Sequence, residues 1–341
     1  MRRMSPLLRI AASIVILAAL TRILDVDLIL ARLGSLTPGW VALGLGLSLA
    51  QGLTLAWRWR FTAARLGIEL PFRLALEEYY LGNFLNQVLP GGVVGDISRA
   101  WRHARTDAPG GSAVRAVIIE RLSGQVVMTA VAVLSLVTLP VVVGGFDRLR
   151  WLGMIAVLGG AGLGLMRLAS ARSPRTSDSN QPAPDQPSTL LGRFASDARI
   201  ALLHREALPL QAATAIFVVG TYITIYLIGA RAIHDTTPTA LLAPLVAPVL
   251  MTMLLPVSVA GWGVREVAAA ALWGAVGLTP EDGVAISVTY GLLVLVSTTP
   301  GALVLIGGLG RGRSRTERHP PGDSAEPVGG APHSSSESDP A

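Results

Sequence analysis

Two short segments of the chain place an acid and an arginine directly after a run of small residues. Each begins with Leu-Pro and spans residues 89–99 (the first Leu-Pro motif) or residues 255–266 (the second Leu-Pro motif). A glycine-rich turn that opens a helix exposes backbone N–H groups and favours an anion, and an arginine fork matches phosphate oxygens. The motifs therefore predict phosphate-binding chemistry, or else only interfacial ion pairs that set topology. The candidate residues are Gly95, Asp96 and Arg99 in the first motif and Gly261, Gly263, Arg265 and Glu266 in the second.

Asp96 and Glu266 are expected to neutralise the neighbouring arginines when no ligand is bound, which lowers the cost of charge near a membrane core. Polar side chains spaced four and three apart precede the first motif and share one helix face. They are predicted either to line a passage for a headgroup or to hold helices together. Glu120 is a counter-charge or proton carrier, or the partner of Arg121 or Arg115. The polar face consists of Tyr79, Asn83 and Asn86.

The composition indicates a membrane protein. Hydrophobic residues make up 51% of the 341 residues and charged residues 15%, with a mean hydropathy of +0.54, whereas soluble domains carry roughly 25% charged residues. The net charge of +6 does not indicate nucleic acid, because the arginines lie in short segments beside apolar runs and fit anionic lipid headgroups better. With no cysteine, five scattered histidines and no phosphate-loop motif, we expect no metal and no cofactor.

The apolar runs predict an all-α, polytopic fold with six full spans. The two segments that hold the Leu-Pro motifs, residues 74–105 and 240–276, are less apolar or interrupted by prolines, and we expect them to be re-entrant broken helices. Two ordinary proline-glycine loops within eight crossings are the alternative. The six predicted spans cover residues 7–24, 40–57, 117–143, 151–168, 208–230 and 284–309.

Arginine placement predicts a multi-pass protein of the cell membrane with both termini in the cytoplasm. Residues 1–309 are expected to form one transmembrane domain whose halves, about 7–168 and 208–309, are joined by a disordered cytoplasmic loop at 170–188. Residues 310–341 are rich in Pro, Gly and Ser and are expected to be a disordered tail. Two similar broken helices of opposite orientation are typical of inverted-repeat transporters, in which unwound backbone lines a wet cavity.

At the two motifs the chain resembles the transmembrane region of the lysylphosphatidylglycerol synthase family, whose members are flippase-like integral membrane proteins. The layout is similar over about residues 7 to 309. The resemblance implies flipping of a polar lipid, either aminoacylated phosphatidylglycerol or an isoprenoid-linked lipid. Because no soluble aminoacyl-transferase domain follows residue 309, aminoacyl transfer is not implied. The matching residues are Tyr80-Leu81-Gly82-Asn83-Phe84-Leu85-Asn86-Gln87-Val88-Leu89-Pro90, Gly95-Asp96, Arg99, Leu255-Pro256-Val257-Ser258 and Gly261-Trp262-Gly263-Val264-Arg265-Glu266.

Three functions compete. A non-enzymatic lipid transporter is favoured, in which Arg99 and Arg265 grip the phosphate of an anionic membrane lipid alternately as the two repeats rock. A membrane glycosyltransferase that uses an isoprenoid-phosphate donor is the second, with Asp25 and Asp27 in the first external loop as its acids. The third is a non-transporting partner of an envelope lipid enzyme. The glycine-rich span at 151–168 is expected either to contact a second copy of the chain in a homodimer or to pack within one chain.

Overall fold

The computed structural model describes residues 6–89, 94–104, 111–143, 190–254 and 258–307, and this part of the chain is all-α. The all-α class is thus confirmed. The predicted span at 151–168, the loop at 170–188 and the tail at 310–341 lie outside the described residues, as do the turn residues 90–93 and 255–257 of the two Leu-Pro motifs.

Eleven α-helices are described, six before the undescribed loop and five after it. The first six are α1 Pro6–Ile23, α2 Val26–Gly34, α3 Pro38–Arg65, α4 Phe72–Val88, α5 Val94–Ala104 and α6 Ser112–Val143. The others are α7 Leu190–Ala198, followed by a π-helical turn at Arg199–Leu203, then α8 Leu208–Ala232, α9 Thr239–Met251, followed by a 3-10 turn at Thr252–Leu254, α10 Val264–Ala275 and α11 Pro280–Ser297.

Four helices of the described part are long and apolar enough to cross a bilayer: Pro38–Arg65, Ser112–Leu139, Leu208–Ala232 and Pro280–Gly307, with 25 to 28 residues each. A crossing needs about 20 apolar residues, so these four match predicted spans. Helix α1 has 18 residues, of which Ser13–Ile23 form a shorter apolar stretch. The total of six crossings stays a prediction.

The two segments predicted to be broken helices are pairs of short helices. Helices α4 and α5 have 17 and 11 residues, and α9 and α10 have 13 and 12. Each pair lies between two long helices along the chain, α3 and α6 in the first half and α8 and α11 in the second. Helix α4 packs on α3 and α5 on α6, as α9 packs on α8 and α10 on α11. Helix α9 also packs along α6, which joins the two halves.

Two elements differ from expectation. The predicted first external loop contains the nine-residue helix α2, capped at its start by Asp25. The prolines of the second broken helix, Pro244 and Pro248, were expected to interrupt it, yet α9 runs through both. Seven of its thirteen residues are buried, and its packing against α6, α8 and α10 outweighs the cost of about 3 kcal/mol for an interior proline.

The crossing of α4 and α5 depends on two glycines. A Cβ added to Gly95 would lie 1.8 Å from the carbonyl oxygen of Gly82, and one added to Gly82 would lie 3.3 Å from the carbonyl oxygen of Gly95. The two backbones are therefore in direct contact. A side chain at residue 95 would prevent this close approach. This contact brings the first Leu-Pro motif against the polar face of α4.

Candidate functional site

A cavity of about 300 Å³ lies between the two halves and is lined by α3, α4, α6, α8, α9 and α11. Both polar and apolar side chains line it. The polar lining includes Arg58, Asn83, Asn86, Gln87, Glu120 and Arg121. The apolar lining includes Leu55, Met128, Val218, Leu250, Met251 and Val294. An amphipathic cavity of this size fits a small polar headgroup next to hydrocarbon.

Asp96 is the centre of a hydrogen-bond network that includes Asn86 and Arg121 of the cavity lining. Its Oδ1 accepts from Nη2 of Arg121 at 2.8 Å and from Nη2 of Arg99 at 3.1 Å. Its Oδ2 accepts from Nδ2 of Asn86 at 3.2 Å, and Oδ1 of Asn86 accepts from the backbone N–H of Gly95 at 2.8 Å. The backbone N–H of Gly95, which the sequence predicted to bind an anion, thus donates to a side chain of the protein. The network joins α4, α5 and α6.

Arg99 is 1% exposed and lies between two aromatic rings. Its guanidinium carbon is 4.4 Å from the ring centre of Trp59 and 4.9 Å from that of Tyr79, distances typical of cation–π contacts. Its Nη2 is 3.5 Å from Oε2 of Glu120. Glu120 is thus a counter-charge of Arg99, whereas Arg115 pairs with Asp197.

The remaining member of the polar face is Asn83, whose Oδ1 accepts from Nη2 of Arg121 at 3.4 Å. Asn83 and Asn86 line the cavity, but Tyr79 does not. Tyr79 is 1% exposed, and its hydroxyl has no hydrogen-bond partner among the described residues. The predicted polar face therefore divides between the cavity wall and the contact with Arg99.

The second Leu-Pro motif contains a buried ion pair between Arg265 and Glu266. Arg265 and Glu266 are 1% and 0% exposed, with Nη2 of Arg265 2.7 Å from Oε1 of Glu266. Ser287 accepts from Nε of Arg265 at 2.9 Å and donates to the same carboxylate oxygen at 2.9 Å. Oε2 of Glu266 accepts from the N–H of Gly263 at 2.6 Å, which caps the start of α10. This pair does not line the cavity.

Two rings also flank the guanidinium of Arg265, Trp262 at 5.1 Å and Tyr290 at 5.3 Å. Gly291 makes room for it, since a Cβ there would lie 2.3 Å from Nη2 of Arg265. The arginine of each Leu-Pro motif thus lies between aromatic rings and against a carboxylate. The two halves resemble each other in side-chain environment as well as in helix order.

The turn of the second motif relies on left-handed backbone. Gly261 and Gly263 have φ of +83° and +86°, a region that residues with a Cβ rarely adopt. The N–H of Val259 donates to Oγ of Ser13 at 2.9 Å. Helix α1 therefore contributes a hydrogen bond to this turn, a contact between residues 246 positions apart that sequence spacing does not reveal.

Sequence reasoning missed Arg58. It is 1% exposed, lines the cavity, and donates from Nη2 to Oγ of Ser123 at 2.9 Å. It lies in the last two turns of α3, just beyond the end of the predicted span at 40–57. The available signal was the apolar pattern that continues beyond Arg58 to residue 65.

The acids of the enzymatic alternative lie elsewhere. Oδ1 of Asp25 accepts from the N–H of Leu28 at 3.1 Å as the N-cap of α2, and Asp27 follows in the first turn. Both are exposed, and neither lines the cavity. Capping is the ordinary role of an aspartate at this position.

The family model described as "Lysylphosphatidylglycerol synthase TM region" matches residues 7–301. That range includes both Leu-Pro motifs and every residue named above as lining the cavity. No curated protein matches the chain.

Proposed function

The chain belongs to the lysylphosphatidylglycerol synthase transmembrane-region family, and from this premise we propose that it carries a polar, anionic lipid across the cell membrane. The family membership supports a role connected with membrane lipids. Transport, and the charge of the lipid, are our proposal.

The observation that carries the proposal is the amphipathic cavity between the halves. A lipid headgroup would lie on the side of Arg121 and Asn86, while the first carbons of its chains would lie against Met128, Leu250 and Val294. Both halves of the fold contribute to this surface, so movement of one half against the other would change access to it. That arrangement fits alternating access, in which a midplane site is exposed first to one side and then to the other.

Arg121 is the proposed first contact of the headgroup. Its side chain is 36% exposed, whereas Asp96 beside it is 16% exposed and Arg99 1%. A phosphate oxygen that enters the cavity would compete with Asp96 for the Arg121 fork, and Asn83 and Asn86 would supply amide groups to the rest of the headgroup. Release of Asp96 would loosen the contact between α5 and α6, which couples binding to movement of the first short-helix pair.

In a later step of the proposed transport, Arg99 and Arg265 bind the phosphate of the lipid in turn. Both guanidinium groups are neutralised by carboxylates in this structure, Arg99 by Asp96 and Glu120 and Arg265 by Glu266. Either arginine would meet a phosphate only after its short-helix pair had moved away from the neighbouring long helix. The start of α5 at Gly95 and the turn at Gly261 and Gly263 are the proposed hinges of that movement.

A vesicle assay tests this function. The full chain is reconstituted into phosphatidylcholine vesicles that carry a trace of fluorescently labelled phosphatidylglycerol, and a membrane-impermeant reductant quenches the outer leaflet. Transport predicts that the quenched fraction rises from about half toward completion with the wild type and far more slowly with Arg121→Gln. Arg60→Gln, an exposed arginine on α3, is the matched control. Equal quenching in protein-free and wild-type vesicles, for this lipid and for labelled lipids with other anionic headgroups, would contradict the proposal.

A further inference from the structure

We propose that Arg58 is a second anion-binding residue of the cavity and holds a singly charged phosphate-type oxyanion through its Nη1 atom. The inference rests on the proposed function only for the source of that oxyanion, a lipid phosphodiester. The chemistry is shared by a free phosphate, and the test below separates the two.

The first argument is the unused hydrogen-bonding capacity of Arg58. The side chain is 1% exposed, and a guanidinium stays charged even when buried. Its Nη2 donates to Ser123, but Nε and Nη1 are buried and have no hydrogen-bond partner among the described residues. A buried charged donor without an acceptor is costly. An oxyanion that accepts from Nη1 would supply one of the two missing acceptors.

The second argument is the local charge balance. Three guanidinium groups, those of Arg58, Arg99 and Arg121, lie in this region with two carboxylates, Asp96 and Glu120. Asp96 pairs with Arg99 and Arg121, and Glu120 pairs with Arg99. The ion pair between Arg102 and Glu78 nearby adds no net charge. One positive charge is left over, and a group with one negative charge would neutralise it.

The third argument is space. Gly124 of α6 faces Arg58, and a Cβ added there would lie 3.7 Å from Nη1. Both residues line the cavity, and residue 124 places no side chain between the Nη1 edge and the cavity. The buried Arg265 differs from Arg58 in that its Nε and Nη2 donate to Glu266 and Ser287.

The test measures binding and thermal unfolding of the full chain in a neutral detergent. The probes are inorganic phosphate and dihexanoyl phosphatidylglycerol, with dihexanoylglycerol as the phosphate-free control. A ligand that binds the folded state alone raises Tm with its concentration, so the wild type is expected to gain Tm with a phosphate-bearing probe and not with dihexanoylglycerol. Arg58→Met is expected to weaken that binding by about tenfold to a hundredfold, the loss that follows from removal of a charged hydrogen bond.

The unfolding temperature without any probe separates binding from a structural role. Removal of an uncompensated buried charge leaves Tm unchanged or raises it, whereas loss of a structural contact lowers it. Arg60→Met, two residues along α3 and exposed, is the matched control and should change neither quantity. Arg58→Lys keeps the charge without the fork and should retain part of the binding. If Arg58→Met does not fold, the comparison of wild type with Arg58→Lys decides.

Binding of the phosphatidylglycerol probe but not of inorganic phosphate identifies a lipid headgroup as the source, and binding of both identifies a general oxyanion site. Absence of any Tm gain in the wild type, or unchanged affinity in the variants, overturns the inference. The lipid-transport proposal and the Arg58 anion-site proposal can be contradicted independently of each other. Lipid flipping by a wild type that shows no such anion site leaves the proposed function standing, and an intact anion site without flipping leaves only the site.

Discussion

Arg121 and Asp96 form an ion pair across 2.8 Å that joins α6 to α5 behind the cavity. The same Asp96 oxygen also accepts from Arg99, so one carboxylate faces two guanidinium groups. The more exposed of these two arginines, Arg121, is the one that faces the cavity. A ligand phosphate that takes Arg121 from Asp96 would therefore act on the first short-helix pair.

Substitution of Asp96 should both destabilise the protein and tighten anion binding. Asp96→Asn leaves Arg99 with one carboxylate and Arg121 with none, and breaking a buried pair costs about 3–5 kcal/mol; partial exposure of Arg121 and Asp96 places the expected loss at the lower end. Thermal unfolding in detergent should show a lower Tm, and the affinity for short-chain phosphatidylglycerol should increase. Unchanged Tm would show that the network around Asp96 contributes nothing.

Glu266 should be needed for stability because Arg265 is fully buried beside it. Glu266→Gln leaves that guanidinium without its counter-charge and should cost about 3–5 kcal/mol of unfolding free energy. The double variant Arg265→Met/Glu266→Leu removes both charges and should recover a large part of the loss. Glu69→Gln, at an exposed position, is the control. A double variant less stable than Glu266→Gln would argue that the pair itself stabilises the fold.

A methyl group at residue 95 should disrupt the first short-helix pair. The Cβ of Gly95→Ala would overlap the carbonyl oxygen of Gly82, a backbone atom that has no rotamer to adopt. The expected result is loss of monodisperse protein on size exclusion, or a much lower Tm. Gly46→Ala, whose Cβ would meet nothing within 4 Å, should be neutral or slightly stabilising, since alanine favours a helix over glycine by about 1 kcal/mol. Equal behaviour of the two variants would contradict the close crossing.

The two acids at the start of α2, Asp25 and Asp27, should be dispensable for transport. Asp25→Asn keeps a side chain that can cap α2, and Asp27 is exposed, so the double variant Asp25→Asn/Asp27→Asn should flip lipid at the wild-type rate with little change in Tm. The vesicle assay measures this directly. Loss of activity in a well-folded double variant would revive the enzymatic alternative.

The sequence predicted the features that depend on local pattern. Long apolar runs gave the all-α class and four spans that the structure bears out, and the acid and arginine of each Leu-Pro motif do pair, as Asp96 with Arg99 and as Glu266 with Arg265. Asp96 and Arg99 are three positions apart, a spacing at which helix geometry brings side chains together. Arg265 and Glu266 are adjacent, and Ser287 of α11 forms hydrogen bonds with both.

Contacts between residues far apart in the chain could not be predicted from local sequence pattern. Glu120 meets Arg99 across 21 positions, and Arg58 meets Ser123 across 65. Arg58 resembled a loop residue because an arginine after an apolar run usually marks the end of a span. It lies inside α3 because the helix continues to residue 65 and turns this side chain toward the cavity. The nine residues of α2 were too few for a periodic pattern to register.

We propose that lipid moves through the cavity. A substitution that fills the cavity tests this movement most directly. In Gly124→Leu the new Cβ fits at 3.7 Å from Arg58, and the rest of the side chain occupies the space beside it. The measurement is the initial rate of flipping of labelled phosphatidylglycerol in vesicles, with Gly46→Leu on α3 as the control for a leucine at an open position. We predict a rate near that of protein-free vesicles for Gly124→Leu and the wild-type rate for Gly46→Leu. A folded Gly124→Leu protein that flips lipid as fast as the wild type would contradict the account.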